Sequence, residues 1–399
     1  MEHILYILFV FAFGACMGSF INVIVWRLPR GESIVSPPSH CPKCNTRLAW
    51  YDNFPVFGWI ALGGKCRYCK QPISARYPII EALCGAMFVL VYVAFFIYQE
   101  GPCALVTRPM TIQEDWPIYV LDMFLLSGLL ASSLIDLEHF LVPIEIPWLI
   151  AAVAVVFHGV VDMPSTVGSL NAIAPVGAFT AGATIGLVIS LLLVFGKILP
   201  RSFEQGGPLL DIEKKAMAEQ GEEAPIDFSP AQIRMEMRKE MLFLIPPLLV
   251  GGIFLFLNLK WPPANQFWNR VAGTYWASGV LGSLWGAFAG AFIIWLTRIF
   301  GSIAFGREAM GLGDVHLMLG IGAVIGASGS AVVFFVAPFV GLLIAVYKLI
   351  RRQGREVPYV PYLSVATLVV LLFYCRIIGY LSPGMVGLSE FLGRILLRQ

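Results

Sequence analysis

Long apolar runs separated by short polar segments make up most of the chain. A transmembrane helix needs about 20 predominantly apolar residues, and the runs predict ten spans. The eighth is short, and we place its boundary with the ninth at the turn 326–330. The predicted spans are 4–26, 78–99, 117–135, 144–161, 173–198, 241–259, 274–299, 315–328, 329–347 and 361–381. The pattern predicts an all-α polytopic membrane protein with about eight to ten transmembrane helices.

The composition points the same way. Of the 399 residues, 58% are hydrophobic and 13% are charged, whereas a soluble domain carries about 25% charged residues. These values exclude a soluble enzyme, a disordered protein and a secreted disulfide scaffold. They predict that most of the chain lies in a lipid bilayer. The net charge of +2 gives no indication of a nucleic-acid partner.

The positions of Lys and Arg predict how the chain is oriented. The segment 27–77 holds eight basic residues against two acidic ones, and alternation of the spans collects 21 of the 27 Lys and Arg on its side. Because short cytoplasmic segments are enriched in Lys and Arg, we expect 27–77 to lie in the cytoplasm. The predicted regions are a first transmembrane helix (1–26), this loop (27–77), membrane helices (78–198), a charged cytoplasmic insert (199–240) and further membrane helices (241–399).

The charged insert carries no pattern of ligands or nucleophiles. Its nine acidic and six basic residues indicate a solvated loop or a partner surface. Near its end, Ser229-Pro230-Ala231-Gln232 predicts the start of a short amphipathic helix that leads into the next span.

The loop 27–77 contains two Cys-x-x-Cys motifs, Cys41–Cys44 and Cys66–Cys69, separated by 21 residues. Two such motifs can place four thiolates tetrahedrally around one zinc ion. A cytoplasmic location argues against disulfides, but redox or disulfide use and a lost metal site stay open as alternatives. A loop of this length has a small core, so a structural zinc would supply much of its folding energy.

Two acidic residues stand at predicted membrane boundaries. Asp136 ends the third span, and Asp314 opens the eighth within Gly311-Leu312-Gly313-Asp314. The predicted topology puts both at the cytoplasmic face, and acidic residues at such positions mark function by default. Two facing carboxylates in a low-dielectric site share one proton, so one can activate water while the other polarises a carbonyl. A helix-end cap or a transport carboxylate remains the alternative for either residue.

Several motifs together resemble the type IV prepilin peptidases. The resemblance covers about 1–100, 117–160 and 300–375, and Asp136 and Gly311–Asp314 match the two aspartate motifs of that family. The other matching segments are Gly18-Ser19-Phe20-Ile21-Asn22-Val23, Arg27-Leu28-Pro29, the paired Cys-x-x-Cys motifs, Tyr51-Asp52-Asn53-Phe54-Pro55 and Pro72-Ile73-Ser74-Ala75-Arg76-Tyr77-Pro78-Ile79-Ile80-Glu81.

The resemblance implies a multi-pass aspartic endopeptidase of the bacterial inner membrane, with catalytic Asp136 and Asp314 facing the cytoplasm. Such enzymes remove the basic leader of type IV prepilins and of type II secretion pseudopilins, cutting after a Gly. Many members then methylate the new N-terminal residue with S-adenosylmethionine, an activity associated with the cysteine loop. No residue of this chain is predicted to bind that donor, and methylation follows from the resemblance alone. A peptidase without methylation and an ion-coupled transporter are the competing hypotheses.

The chain also departs from the family pattern. Ile144 follows Pro143 where the family commonly has an acidic residue, and the acid is Glu145. His316 stands where the family usually has Lys. It is either a neutral hydrogen-bond partner of the two aspartates or a histidine that merely lies at the membrane boundary. The region 199–272 has no counterpart that the motifs identify.

Overall fold

The computed structural model describes residues 2–99, 109–161, 170–203, 228–350 and 358–396, the last of these from 381 onward as backbone only. The described chain is helical, with no β-strand and only two isolated bridges, both in the loop 27–77. It divides into two compact units, and the division falls within two of the helices. One unit comprises 1–150, 165–169 and 332–399, and the other 151–164 and 170–331.

The helices follow the predicted apolar runs. Within the described residues, seven are long and apolar enough to cross a membrane, and two shorter apolar helices cover 145–160 and 360–374. The α-helices are α1 (Glu2–Arg27), α2 (Phe57–Ala61), α3 (Arg76–Tyr92), α4 (Ile112–His139), α5 (Glu145–Val160), α6 (Ala174–Phe195), α7 (Pro230–Lys260), α8 (Pro262–Ala272), α9 (Tyr275–Phe305), α10 (Leu312–Ile350) and α11 (Val360–Leu396).

The eighth and ninth predicted spans join without an intervening loop. They form α10, whose backbone breaks at Gly326 with φ 78° and ψ 176°. Only glycine adopts such a conformation easily, so the predicted boundary is where the helix bends.

In the first unit, α1 packs closely on α3, and α4 packs on both α1 and α11. Glycine makes the first of these contacts possible: a Cβ atom at Gly18 would lie 2.6 Å from the Cα atom of Glu81. Small residues of this kind let membrane helices approach closely. The fully buried side chains Phe88, Tyr92 and Leu125 contribute to the core.

In the second unit, α6 packs against α7 around a pair of prolines. Pro247 has no N–H to donate to the carbonyl oxygen of Phe243, one helical turn earlier. The hydroxyl of Ser190 in α6 donates to that oxygen instead, at 2.7 Å. In a membrane such a replacement is required because no water reaches the freed carbonyl.

The helix α7 begins inside the region predicted as a charged insert. Ser229 caps it in a capping box with Gln232, which confirms the predicted helix start. The helix is longer than expected, since it runs without interruption from Pro230 into the predicted span. Residues 204–227 of the predicted insert lie outside the described residues.

Candidate functional site

The four predicted metal ligands form one cluster. The sulfur atoms of Cys41, Cys44, Cys66 and Cys69 all lie within 4.8 Å of one another, and the Sγ atoms of Cys41 and Cys69 are 3.8 Å apart. A tetrahedron with metal–sulfur bonds of about 2.3 Å has edges of about 3.8 Å. All four are free thiols, so the structure gives no support to disulfides. The cluster could hold a metal ion.

The two Cys-x-x-Cys motifs have the same local structure. In the first, the Cys41 N–H donates to the Thr46 carbonyl at 3.0 Å, and the Asn45 N–H donates to the Cys41 carbonyl at 2.8 Å. The Cys66 and Lys70 N–H groups make the corresponding bonds in the second motif, at 2.9 and 3.0 Å. Asn45 and Lys70 both have a positive φ, 54° and 61°. The repeated turn aims each pair of sulfur atoms at a common point.

The electrostatics of the cluster favour thiolates at some positions and oppose them at others. Hydrogen bonds from the Thr46 hydroxyl and N–H lower the pKa of Cys44 to about 6, and the Cys69 N–H lowers the pKa of Cys66. The Gln71 N–H acts to lower the pKa of Cys69, but burial and the neighbouring thiols raise it to about 11. Four thiolates at this spacing therefore need a cation among them.

Hydrogen bonds to the backbone hold the loop against the membrane helices. The Val56 N–H donates to the buried carboxylate of Glu81 in α3 at 2.7 Å. At the end of α1, the Arg27 guanidinium donates to the carbonyls of Ser33 and Pro37, at 3.0 and 2.7 Å. The loop is thus attached to both helices from which it emerges.

A cavity of about 350 Å³ lies between α1 and this loop. Its size falls within the range of about 300–1,000 Å³ of pockets that take small molecules. The wall combines apolar side chains with hydroxyl, amide and guanidinium groups. It is formed by Cys16, Ser19, Phe20, Val23, Arg27, Ile34, Val35, Pro37, Pro38, Ser39, Asn53 and Pro55.

Asp136 lies in the last turn of α4, in the first unit, with 6% of its surface exposed. Its carboxylate accepts the N–H of Val360 at 3.2 Å. That N–H belongs to the first turn of α11, which leaves its amides without partners inside the helix. The neighbouring acidic residues differ: Glu138 is exposed and pairs with Arg76, and Glu145 is exposed at the start of α5. Asp136 is the buried acid of this stretch.

Asp314 lies in the first turn of α10, in the second unit, with 8% of its surface exposed. Its N–H donates to the Gly311 carbonyl at 3.3 Å. A Cβ atom at Gly311 would lie 3.5 Å from the Asp314 Oδ2 atom, which is ordinary contact. The positive end of a helix favours a carboxylate at this position. His316 lies two residues further along the same helix, about half a turn from Asp314. Joint action of Asp136 and Asp314 stays a prediction.

Two segments of the chain match known protein families. Residues 12–95 match the bacterial peptidase A24 N-terminal domain, and residues 242–346 match the type IV leader peptidase family. Each segment is similar to the family domain named for it, and together they cover a little under half of the chain. The first contains the cysteine cluster, and the second contains Asp314. Asp136 lies between them. Because the second segment begins at residue 242, the family match includes most of α7 and all of α8, for which the motifs identified no counterpart.

Curated relatives carry names that agree with this family. The chain is 38% identical over 155 residues to the prepilin leader peptidase/N-methyltransferase of Myxococcus xanthus, covering 38% of this chain and 41% of that protein. The equivalent proteins of Klebsiella pneumoniae (46% over 88 residues; 21% and 39%) and Pseudomonas putida (32% over 192 residues; 42% and 60%) are also similar. The chain thus spans about two to three fifths of the relatives' lengths. No solved structure matches the chain.

The sequence motifs gave no role to several buried charges of this chain. Glu81 stands within the apolar run of the second span, and Glu240 and Arg298 are buried in the second unit. Their charge was the feature of the sequence that could have drawn attention to them, since an ionisable residue inside or beside an apolar run needs a partner. The partners are distant in sequence, so the pattern could not identify them.

Proposed function

We propose that the chain is an aspartic endopeptidase that removes the leader of type IV prepilins and of type II secretion pseudopilins. The observation that carries this proposal is Asp314, which is buried at the start of α10 within a segment that matches the type IV leader peptidase family. The names of the relatives support prepilins as the substrate class. The excess of Lys and Arg in 27–77 supports a cytoplasmic active site in the bacterial inner membrane.

In the proposed mechanism, Asp136 and Asp314 act together on one scissile peptide bond. One carboxylate is ionised and takes a proton from water, and the other is protonated and polarises the carbonyl. The Val360 N–H, which donates to Asp136, fixes the orientation of that carboxylate. The water oxygen bonds to the carbonyl carbon, and the C–N bond then breaks as the proton taken from water passes to the leaving nitrogen, which becomes the N-terminal amine of the mature pilin.

We propose that the N-terminal part of the chain methylates this amine. Its support is the match of residues 12–95 to the family's N-terminal domain, together with relatives named as N-methyltransferases. S-adenosylmethionine supplies the methyl group when bound, and the cavity between α1 and the loop has a suitable size and a mixed polar and apolar wall. Cys41, Cys44, Cys66 and Cys69 would hold a structural zinc ion that folds this loop.

The test is cleavage of a purified prepilin by the enzyme in lipid vesicles, followed by mass spectrometry. Asp136→Asn and Asp314→Asn should each abolish cleavage, and the double variant should be no worse than either, because residues that act as a unit are not additive. Glu138→Gln, which changes an exposed acid on the same helix turn, is the matched control and should cleave at the parent rate. Substantial cleavage by Asp136→Asn would contradict its assignment.

Methylation is measured in the same experiment on a pilin that has already been cleaved. Both Asp→Asn variants should transfer a labelled methyl group at the parent rate, since that step needs no carboxylate pair. Cleavage without any methyl transfer by the parent protein would leave a peptidase alone.

A further inference from the structure

Among the residues that the structure describes, Arg298 is the largest fully buried side chain, with 2% of its surface exposed. It belongs to α9, two turns before the helix ends at Gly306. A buried charge without partners costs several kcal/mol, and in a membrane helix it marks a functional position by default. The partners of this guanidinium therefore indicate what it does.

One partner comes from the neighbouring helix α7. Glu240, itself buried, accepts hydrogen bonds from the Arg298 Nε and Nη2 atoms at 3.1 to 3.2 Å. Its other bond comes from the Trp295 indole N–H, at 2.7 Å. These contacts fix the carboxylate, and the carboxylate in turn fixes the plane of the guanidinium.

The remaining Arg298 donor, Nη1, points away from α7 to the connection between α9 and α10. There it contacts the Glu308 carboxylate and the Met310 carbonyl oxygen. A second bond secures the same connection, because the Ala309 N–H donates to the Ser302 hydroxyl at 3.0 Å. The connection is therefore held at three consecutive positions, 308–310, directly before Gly311.

Asp314 depends on this attachment through the backbone. Met310 is bonded to Gly311, and the Gly311 carbonyl accepts the Asp314 N–H. Helix packing alone does not require an ion pair between Arg298 and Glu240, since a buried ion pair is no more stabilising than apolar side chains of similar volume. Arg rather than Lys suits the position, because its planar fork reaches the carboxylate and the carbonyl at fixed angles.

We propose that Arg298, oriented by Glu240, is a positioning residue that holds the 306–311 connection and thereby places Asp314 for peptide cleavage. The proposal rests on the proposed peptidase function. Arg298 touches no reacting atom, and its effect reaches the reaction only through the connection.

The experiment compares three variants in detergent or lipid vesicles. Arg298→Gln removes the attachment, and Arg298→Lys keeps the charge. The double variant Glu240→Leu with Arg298→Met replaces the ion pair by apolar groups, which preserves folding where a single buried charge would not. Arg234→Gln is the matched control, since Arg234 donates from α7 to the Ile303 carbonyl of α9, outside the connection.

Two measurements decide the outcome. Hydrogen exchange should become faster in peptides that cover 306–316 for Arg298→Gln and the double variant, and not for Arg234→Gln. Cleavage by the same two variants should lose about 10- to 100-fold in kcat with little change in KM, since a displacement of about 1 Å can cost 100-fold. Arg298→Lys should recover part of the rate, and methylation of a cleaved pilin should not change.

The proposal is overturned if the exchange of 306–316 is unchanged, or if the folded double variant cleaves at the parent rate. The exchange measurement needs no activity. A parent enzyme that cleaves no prepilin would therefore refute the proposed function, while exchange still reports whether Arg298 holds the connection.

Discussion

Removal of two cysteine ligands should unfold the loop 31–75 and leave the membrane helices folded. The perturbation is Cys41→Ser with Cys44→Ser, which takes both sulfur atoms of the first motif from the cluster. Within this loop, all of which the structure describes, the buried apolar side chains are Cys41 and Cys66, and both belong to the cluster. The loop has no other apolar core to hold it together.

The expected loss of stability follows from the lack of an apolar core in the loop. A fully buried Leu or Phe contributes about 1.5–3 kcal/mol, and the loop has none. The remaining contacts include the Asp52–Arg67 ion pair at 2.7 Å, half exposed on the arginine side, and such pairs contribute about 0–1 kcal/mol. Structural zinc in small domains contributes about 10–16 kcal/mol at neutral pH. The free energy expected from metal binding therefore exceeds that of the other contacts by far. Loss of the metal should be sufficient to unfold the loop.

The assay combines metal analysis, hydrogen exchange and the two activities. We expect about one zinc per parent chain, none in the double Ser variant, and loss of exchange protection confined to 31–75. Methyl transfer should disappear, whereas cleavage should persist because both aspartates lie on membrane helices. Lys43→Ser, in the same motif but exposed and not a ligand, should behave like the parent. A parent protein without metal, or a double Ser variant whose loop stays protected, would refute the reasoning.

Two further predictions concern the second unit. Replacing 204–227 by a short Gly/Ser linker should leave cleavage near the parent rate, because the helix start at Ser229 and the bond from the Phe203 N–H to Glu236 are preserved; loss of activity in a folded variant would instead identify a substrate or partner surface. Gly322→Ala should lower stability by about 1–3 kcal/mol, since its Cβ atom would lie 2.1 Å from the Gly286 carbonyl oxygen. Gly252→Ala, in open space on α7, should not, and thermal unfolding in detergent compares the two.

Local patterns were sufficient to predict the spans and the cysteine cluster. Apolar runs give the positions of helices because the bilayer core sets their length, and the Cys-x-x-Cys spacing brings two sulfur atoms together within one turn. Both features depend on residues close in sequence. The capping box at Ser229 is predictable for the same reason.

Contacts between distant residues could not be predicted in this way. The Val360 N–H that orients Asp136 is 224 residues away, and Glu240 is 58 residues from Arg298. No periodicity connects these pairs, so the sequence indicates only that each charge needs some partner. The burial of the first turns of α7 could not be predicted for the same reason. Their charges led us to predict a solvated insert, but Glu236 and Glu240 are buried by packing within the second unit.

The two proposed activities depend on different sources of stability, and this determines how they can be separated. The aspartates lie on long helices that pack in the membrane, where glycine contacts such as Gly286–Gly322 fix the backbone. The loop would depend on the metal ion proposed for its cysteine cluster. The bond from the Val56 N–H to Glu81 joins the loop to α3, and the bonds from Arg27 to the Ser33 and Pro37 carbonyls join it to α1. If the loop unfolds, Glu81 and Arg27 lose these partners but remain near the ends of α3 and α1, where water can replace them. Loss of metal should therefore stop methylation without carrying the unfolding into the helices.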